Sequence, residues 1–163
     1  EQMKDKFVLD VEQEGLKYHF QLAFDAKLMD QYQVIIDMDR VIQVLTNLVF
    51  NSIKYTAPGG KVGIICELIL DYEAENTAGM FVVHVEDTGY GIKPESLPYV
   101  FDRFYREKER QPVKNGVDRG SGIGLAIAKE IIEYHDGNIR VESKVGEGTT
   151  FSFTLPLYQF DGG

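Results

Sequence analysis

The sequence predicts an α+β fold, a mostly antiparallel sheet with its helices packed on one face. Three observations carry that expectation. A long segment between Asp39 and Tyr55 repeats its apolar residues with a helical period, several shorter runs cluster or alternate like strands, and glycine-rich turns separate them. A chain of 163 residues is one domain long and can bury a real core.

Taken in order, Gln2 to Glu14 reads as a short helix ended by Gly15, and Tyr18 to Phe24 and Gln33 to Ile36 read as strands. Asp37 or Asp39 is suited to cap a strong helix from about Arg40 to Tyr55, which stops before Ala57-Pro58-Gly59-Gly60. Strands follow at Lys61 to Tyr72 and Met80 to Glu86. Asp87 to Gly91 is a glycine turn, and Pro94 starts a short helical segment toward Tyr99. From Asp102 to Gly120 no period is usable, and a loop of that length in a compact domain is usually functional. Gly124 to Tyr134 is helical with Gly137 expected at the C′ position, and Gly137 to Ser143 and Thr149 to Leu155 make a last strand pair.

Composition mainly excludes. A net charge of -9 speaks against nucleic acid and against anionic lipid, both of which must be met by Lys and Arg. Cys66 is the single cysteine, so neither an internal disulfide nor a thiolate zinc cluster can form, and a reducing compartment fits. Val62 to Leu70, the longest apolar stretch, is interrupted by Glu67 and is far short of a bilayer span. The chain begins at Glu1 without a Met and ends in Asp161-Gly162-Gly163, which suggests a piece of a longer protein.

Three segments carry chemistry. On the long helix, Val41, Val44, Leu45, Leu48 and Ser52 share the face expected to be buried, while Asn47, Asn51, Lys54 and Tyr55 share a second face. Two asparagines inside a helix are poor helix formers; their amide oxygens suit Mg²⁺, Lys54 suits a phosphate and Tyr55 a flat base. The same pattern also fits an ordinary amphipathic helix with two solvated asparagines. Asp87, at the end of an apolar strand and followed by Thr88-Gly89-Tyr90-Gly91, can accept a bond from an exocyclic amine, although such turns are common. Gly120-Ser121-Gly122-Ile123-Gly124-Leu125 opens a helix whose N-terminal amides can hold phosphate, but without the preceding parallel strand of a dinucleotide-binding unit. Ahead of it, Arg103 to Arg119 holds six basic residues against three acidic ones, which reads as a basic flap over a phosphate or as a solvated loop.

Together these segments resemble the catalytic and ATP-binding domain of bacterial sensor histidine kinases, over nearly the whole chain. Asn47-LVFNSIKYT resembles the N box, Asp87-TGYG the first glycine box and Phe101-DRFYR the F box. Gly120-SGIGLAIAKEIIEYHDG resembles the second glycine box and Gly146-EGTTFSFTLP the third. The resemblance implies a two-layer Bergerat-type α/β sandwich with a long ATP lid. It implies that Asp87 holds the adenine amine with Thr149 in support, that Asn51 ligates Mg²⁺, and that Asn47 and Lys54 contact phosphates. Tyr55 and Ile92 would line the base pocket, Gly89, Gly91, Gly120, Gly122 and Gly124 would permit close approach, with Ser121, Ile123 and Leu125 in the same box, and Phe101 and Phe104 would anchor the lid. Residues 1–17 would be a connector, 18–157 the ATP-binding unit and 158–163 a tail.

Activity follows from the same resemblance: a transferase that passes the γ-phosphoryl group of Mg-ATP to a histidine on a separate phosphoacceptor hairpin of the same kinase, which then serves a response regulator. It implies a cytoplasmic domain, in many relatives part of a membrane-anchored protein, that is monomeric as a fragment and touches neither nucleic acid nor membrane. Related ATPases place a Glu base where Asn47 stands, and an amide takes no proton at neutral pH, so hydrolysis should be slow. None of His19, His84 and His135 combines an acidic residue next to it with a Pro a few residues on, and all three read as structural or solvated. The rivals are a Ser/Thr kinase of the anti-sigma-factor type and a nucleotide-binding pseudokinase; the F box and the intact motif residues favour the histidine kinase.

Overall fold

The computed structural model describes residues 6–105 and 123–160, and within them six strands form a single sheet covered on one face by helices. Helix α1 (Val8–Gln13) leads into β1 (Lys17–Leu22), followed by a 3-10 turn (Ala26–Asp30) and the short β2 (Tyr32–Gln33). Helix α2 (Met38–Lys54) precedes β3 (Lys61–Leu70) and β4 (Gly79–Asp87); after a 3-10 turn (Leu97–Tyr99) come α3 (Gly124–Tyr134), β5 (Ile139–Lys144) and β6 (Gly148–Gln159). The strand order is β1-β3-β4-β6-β2, with β5 also paired to β6. Only β1 and β3 run parallel, since the chain crosses over through α2 between them; the other pairs are antiparallel.

The pleat sorts the side chains. Ile64, Cys66, Val83, Val85, Phe151 and Phe153 are cross-strand neighbours on the inner face, and all are buried. They meet Val44, Leu45, Leu48 and Val49 of α2 and Ala128, Ile131 and Ile132 of α3 in one cluster. Burial of an aromatic such as Phe151 or Phe153 contributes about 2–3 kcal/mol before cavity effects. Phe7, the N-cap of α1, and Val11 within it join this core. The mostly antiparallel two-layer arrangement matches the fold expected.

Several boundaries differ from expectation. The Gln33 to Ile36 strand shortens to Tyr32–Gln33, pairing with Tyr158 and Gln159; Val34 and Ile36 instead pack on the core from irregular backbone, which leaves Ile35 exposed. Asp37, not Asp39, is the N-cap of α2, its Oδ1 accepting from the Arg40 N–H, so that helix starts at Met38. The last strand runs on to Gln159. At the end of α3 the left-handed C′ residue is Asp136 (φ 60), not Gly137. The Asp136 and Gly137 N–H groups donate to Glu133 and Ile132 O, closing a Schellman turn. Gly137 is needed for room: a Cβ there would lie 1.9 Å from Thr154 O.

Candidate functional site

Helix α2 delivers Asn47, Asn51 and Lys54 at the spacing predicted, with Tyr55 as its C-cap. Its apolar face, extended by Val49, is buried as expected, and this fixes the rotation that turns the asparagines out of the core. Asn47 Nδ2 donates to Gly124 O at 3.0 Å, joining α2 to the first residue of α3. Asn51 Nδ2 is buried without a hydrogen-bond partner among the described residues. Lys54 Nζ sits 5.4 Å from the Tyr55 ring centroid, a cation–π distance.

Asp87 ends β4 on the inner face and is only 7% exposed. Its Oδ1 accepts from the Gly89 N–H at 2.9 Å and from the Thr149 N–H at 3.2 Å. A buried carboxylate needs such donors, since losing water without them costs several kcal/mol. Thr149 therefore meets Asp87 through its backbone, directly. Gly89 is held against Tyr55, where a Cβ would fall 2.4 Å from Tyr55 O and 2.8 Å from Asp87 Oδ1. Gly91 has φ +77 and would carry its Cβ to 2.4 Å from Lys144 O, so glycine is required there on both counts. Ile92 is buried beside them.

Ser143 was not singled out in the sequence, yet it ties this corner together. Its Oγ accepts from the Ile92 N–H at 2.7 Å, donates to Gly148 O at 2.9 Å and lies 2.8 Å from Thr149 Oγ1. The available signal was parity: Ile139, Val141 and Ser143 alternate on β5, so a polar residue falls at an inward position.

The other expected residues are spread more widely. Ile123 and Leu125 flank Gly124 at the start of α3, and Leu125 packs on the core. Phe101 meets Phe151 edge-on at 5.9 Å, whereas Phe104 is 67% exposed with φ 64. Gly120, Ser121, Gly122 and the basic stretch from Arg106 to Arg119 lie outside the described residues. His84 lies on the outer face, 2.6 Å from Ser152 Oγ, and His19 lies 3.0 Å from Glu86.

The donor set fits a hard cation. The amide oxygen of Asn51 is a ligand type Mg²⁺ accepts alongside water and phosphate, while the buried atom without a partner is its Nδ2, a donor. No cluster of three His, Cys, Asp or Glu among the described residues offers a rival metal site. No helix among them is long and apolar enough to cross a membrane.

Comparison with known proteins agrees with this geometry. Residues 36–159, well over half of the chain, match the family described as histidine kinase-, DNA gyrase B-, and HSP90-like ATPase. The sensor protein SrrB of Staphylococcus aureus (strain NCTC 8325 / PS 47) is 45% identical over 120 residues, which is 74% of this chain and 19% of that protein. The chain thus spans about a fifth of the length of that relative. Among solved structures, a mycobacterial sensor histidine kinase, MprB, superposes with a TM-score of 0.69 at 25% identity, covering 98% of this chain and 95% of that one. The nucleotide-free catalytic domain of histidine kinase ThkA gives 0.68 at 28%, covering 92% and 86%. With its motif residues converging around Asp87 and the α2–α3 pair, the chain belongs to the histidine kinase-, DNA gyrase B- and HSP90-like ATPase family.

Proposed function

We propose that this chain is the catalytic domain of a sensor histidine kinase, binding Mg-ATP and donating its γ-phosphoryl group to a histidine on a separate phosphoacceptor hairpin. The observation that carries the reading is Asp87: a buried carboxylate whose Oδ1 is organised by two backbone N–H groups, at a corner where Gly89 and Gly91 let the backbone pack closely against Tyr55 and Lys144. Its Oδ2 is the acceptor for the exocyclic amine of adenine, which GTP replaces with a carbonyl. Ile92 and Tyr55 supply the apolar walls, and Lys54 and Asn47 meet the phosphates. The ATP-binding unit is residues 18–157, with 1–17 as the connector to the hairpin.

Phosphoryl transfer asks the protein mainly for alignment and charge neutralisation. Lys54 contributes a cation, and Asn51 is the protein ligand for Mg²⁺, which when bound neutralises charge on the phosphate oxygens. The nitrogen lone pair of the acceptor imidazole forms the new bond to the γ-phosphorus. The bond from that phosphorus to the β,γ-bridging oxygen breaks, and ADP leaves with the electron pair. Asn47 occupies the position of a hydrolytic base without being able to take a proton, which keeps the phosphoryl group from water. A response regulator is the next acceptor.

Calorimetric titration with ATP and GTP, with and without Mg²⁺, tests the binding step. Saturable ATP binding, strengthened by Mg²⁺ and absent with GTP, is expected, followed by transfer of labelled phosphate to an added phosphoacceptor hairpin with little free phosphate. Failure to bind ATP overturns the reading, and binding without transfer to any supplied hairpin favours a nucleotide-binding pseudokinase.

A further inference from the structure

Helices α2 and α3 run antiparallel and are joined by two polar rungs. One is Asn47 Nδ2–H to Gly124 O, at the site. The other lies at the far end, where the Asp37 N–H donates to His135 Nε2 at 3.0 Å. On the same imidazole, Nδ1 lies 2.7 Å from Ile131 O. A backbone N–H can only donate and a carbonyl can only accept. His135 is therefore neutral, with its proton on Nδ1, and spends one nitrogen on its own helix and the other on its neighbour.

The spacing of the rungs matters. Asp37, the N-cap of α2, and Asn47 are ten residues apart, and Gly124 and His135, the C-cap of α3, eleven, about 15 Å and 16 Å at helical rise. Between them, among the described residues, the two helices contribute apolar side chains such as Val44, Leu48, Ala128 and Ile131 to one core, and apolar packing resists separation but specifies rotation and sliding weakly. One rung leaves a pivot; two, set this far apart, fix both register and angle.

The geometry points to His135 as a positioning residue for the nucleotide site. This rests on the reading above, in which Asn47 contacts phosphate. A nucleotide that takes the Asn47 amide releases the rung to Gly124, and the His135–Asp37 bond is then the polar contact that holds the register of α3 against the helix bearing Asn47, Asn51 and Lys54. His135 touches no substrate; it acts through the seating of α3.

Two conservative variants separate this role from plain stability. A glutamine can present an acceptor where Nε2 sits and keep the bond to Asp37; an asparagine can present a donor where Nδ1 sits and keep only the local bond to Ile131. Mg-ATP titration of the 163-residue chain should find His135→Gln within about twofold of wild type, and His135→Asn and His135→Ala about two- to fivefold weaker, the low end for an exposed hydrogen bond. Thermal midpoints should fall by similar amounts in the Gln and Asn variants. Equal affinity in all variants, or affinities that follow the midpoints, would overturn the proposal. If the wild-type chain binds no ATP the nucleotide reading falls, and amide exchange then decides the clamp. Faster exchange at Asp37 in His135→Asn but not in His135→Gln upholds it, and equal exchange overturns it.

Discussion

Glu86 and Asp87 are neighbours on β4, carry the same charge and differ by one methylene, yet the pleat sends them to opposite faces of the sheet. Glu86 faces outward and lies 3.0 Å from His19 Nε2, with both side chains about two-fifths exposed. The imidazole lies across Gly63, where a Cβ would come within 1.9 Å of it. Below, His84 repeats the arrangement with Glu67 at 3.3 Å, and a cleft of about 450 Å³ at the sheet's end brings Lys61, Glu142 and Lys144 beside Glu86 and reaches Asp87 and Thr149 as well. Asp87 faces inward, nearly stripped of water, with two backbone donors on one oxygen. The outer carboxylate keeps its solvent, so its ion pair is worth about 0–1 kcal/mol. The inner one must be satisfied in place, and leaving such a buried group without its donors costs about 1–3 kcal/mol or more. One step along a strand separates a solvated charge from a site.

The largest test of that contrast is Asp87→Asn. The amide keeps an oxygen for the Gly89 and Thr149 N–H groups, so the fold is expected to survive. On the other side it turns an NH₂ toward the adenine amine, donor against donor. Calorimetry should show ATP affinity falling by about 30- to 100-fold, roughly 2–3 kcal/mol, well beyond the loss in Lys54→Ala. An unchanged affinity would erase the distinction between the two carboxylates and sink the binding pose.

That Asp87 was readable in advance, and Ser143 was not, has a physical reason. Asp87 stands where a hydrophobic strand meets a glycine turn, two local signals in register. Ser143 becomes a hub because its Oγ also takes the Ile92 N–H from a segment 51 residues away, a long-range fact. The faces of α2 were legible because their period is local, down to Ser52 on the buried side. The parallel pairing of β1 with β3 was not, because it is decided by a crossover. At the end of α3 the glycine rule pointed one residue too far: Asp136 tolerates the left-handed turn, and Gly137 answers to the neighbouring strand instead. His135 looked like a helix end, and its bond to Asp37 spans most of the chain.

Cys66 sharpens the inner side of the comparison without involving ligand. It lies on β3 opposite Val83, 4% exposed, and burial pushes its thiol up from 9.0 to about 11. The folded state thus prefers the protonated thiol. Its contribution is complete below pH 9, where both states hold the proton, and is lost as pH rises through about 11, where folding must keep a proton the unfolded chain has released. Urea unfolding of wild type and Cys66→Ala between these limits should show the wild type losing more stability, by on the order of 2 kcal/mol. Parallel curves would mean that the inner face admits water at β3.

The smallest effect is expected outside, at Glu86→Gln. The amide oxygen can still accept from the His19 ring, so what is removed is a Coulomb attraction between two half-exposed groups. That attraction is present only when His19 is protonated and is screened over about 10 Å at 0.1 M salt. Unfolding free energy should change by less than about 0.5 kcal/mol, and ATP affinity not measurably. The result is informative because Glu86 and Asp87 share a backbone: a change in strand geometry would disturb both, whereas a change in charge alone disturbs only the face it is on. A tenfold loss of ATP affinity in Glu86→Gln would show that the two faces communicate through β4, and the contrast between the adjacent carboxylates would have to be redrawn as one coupled pair.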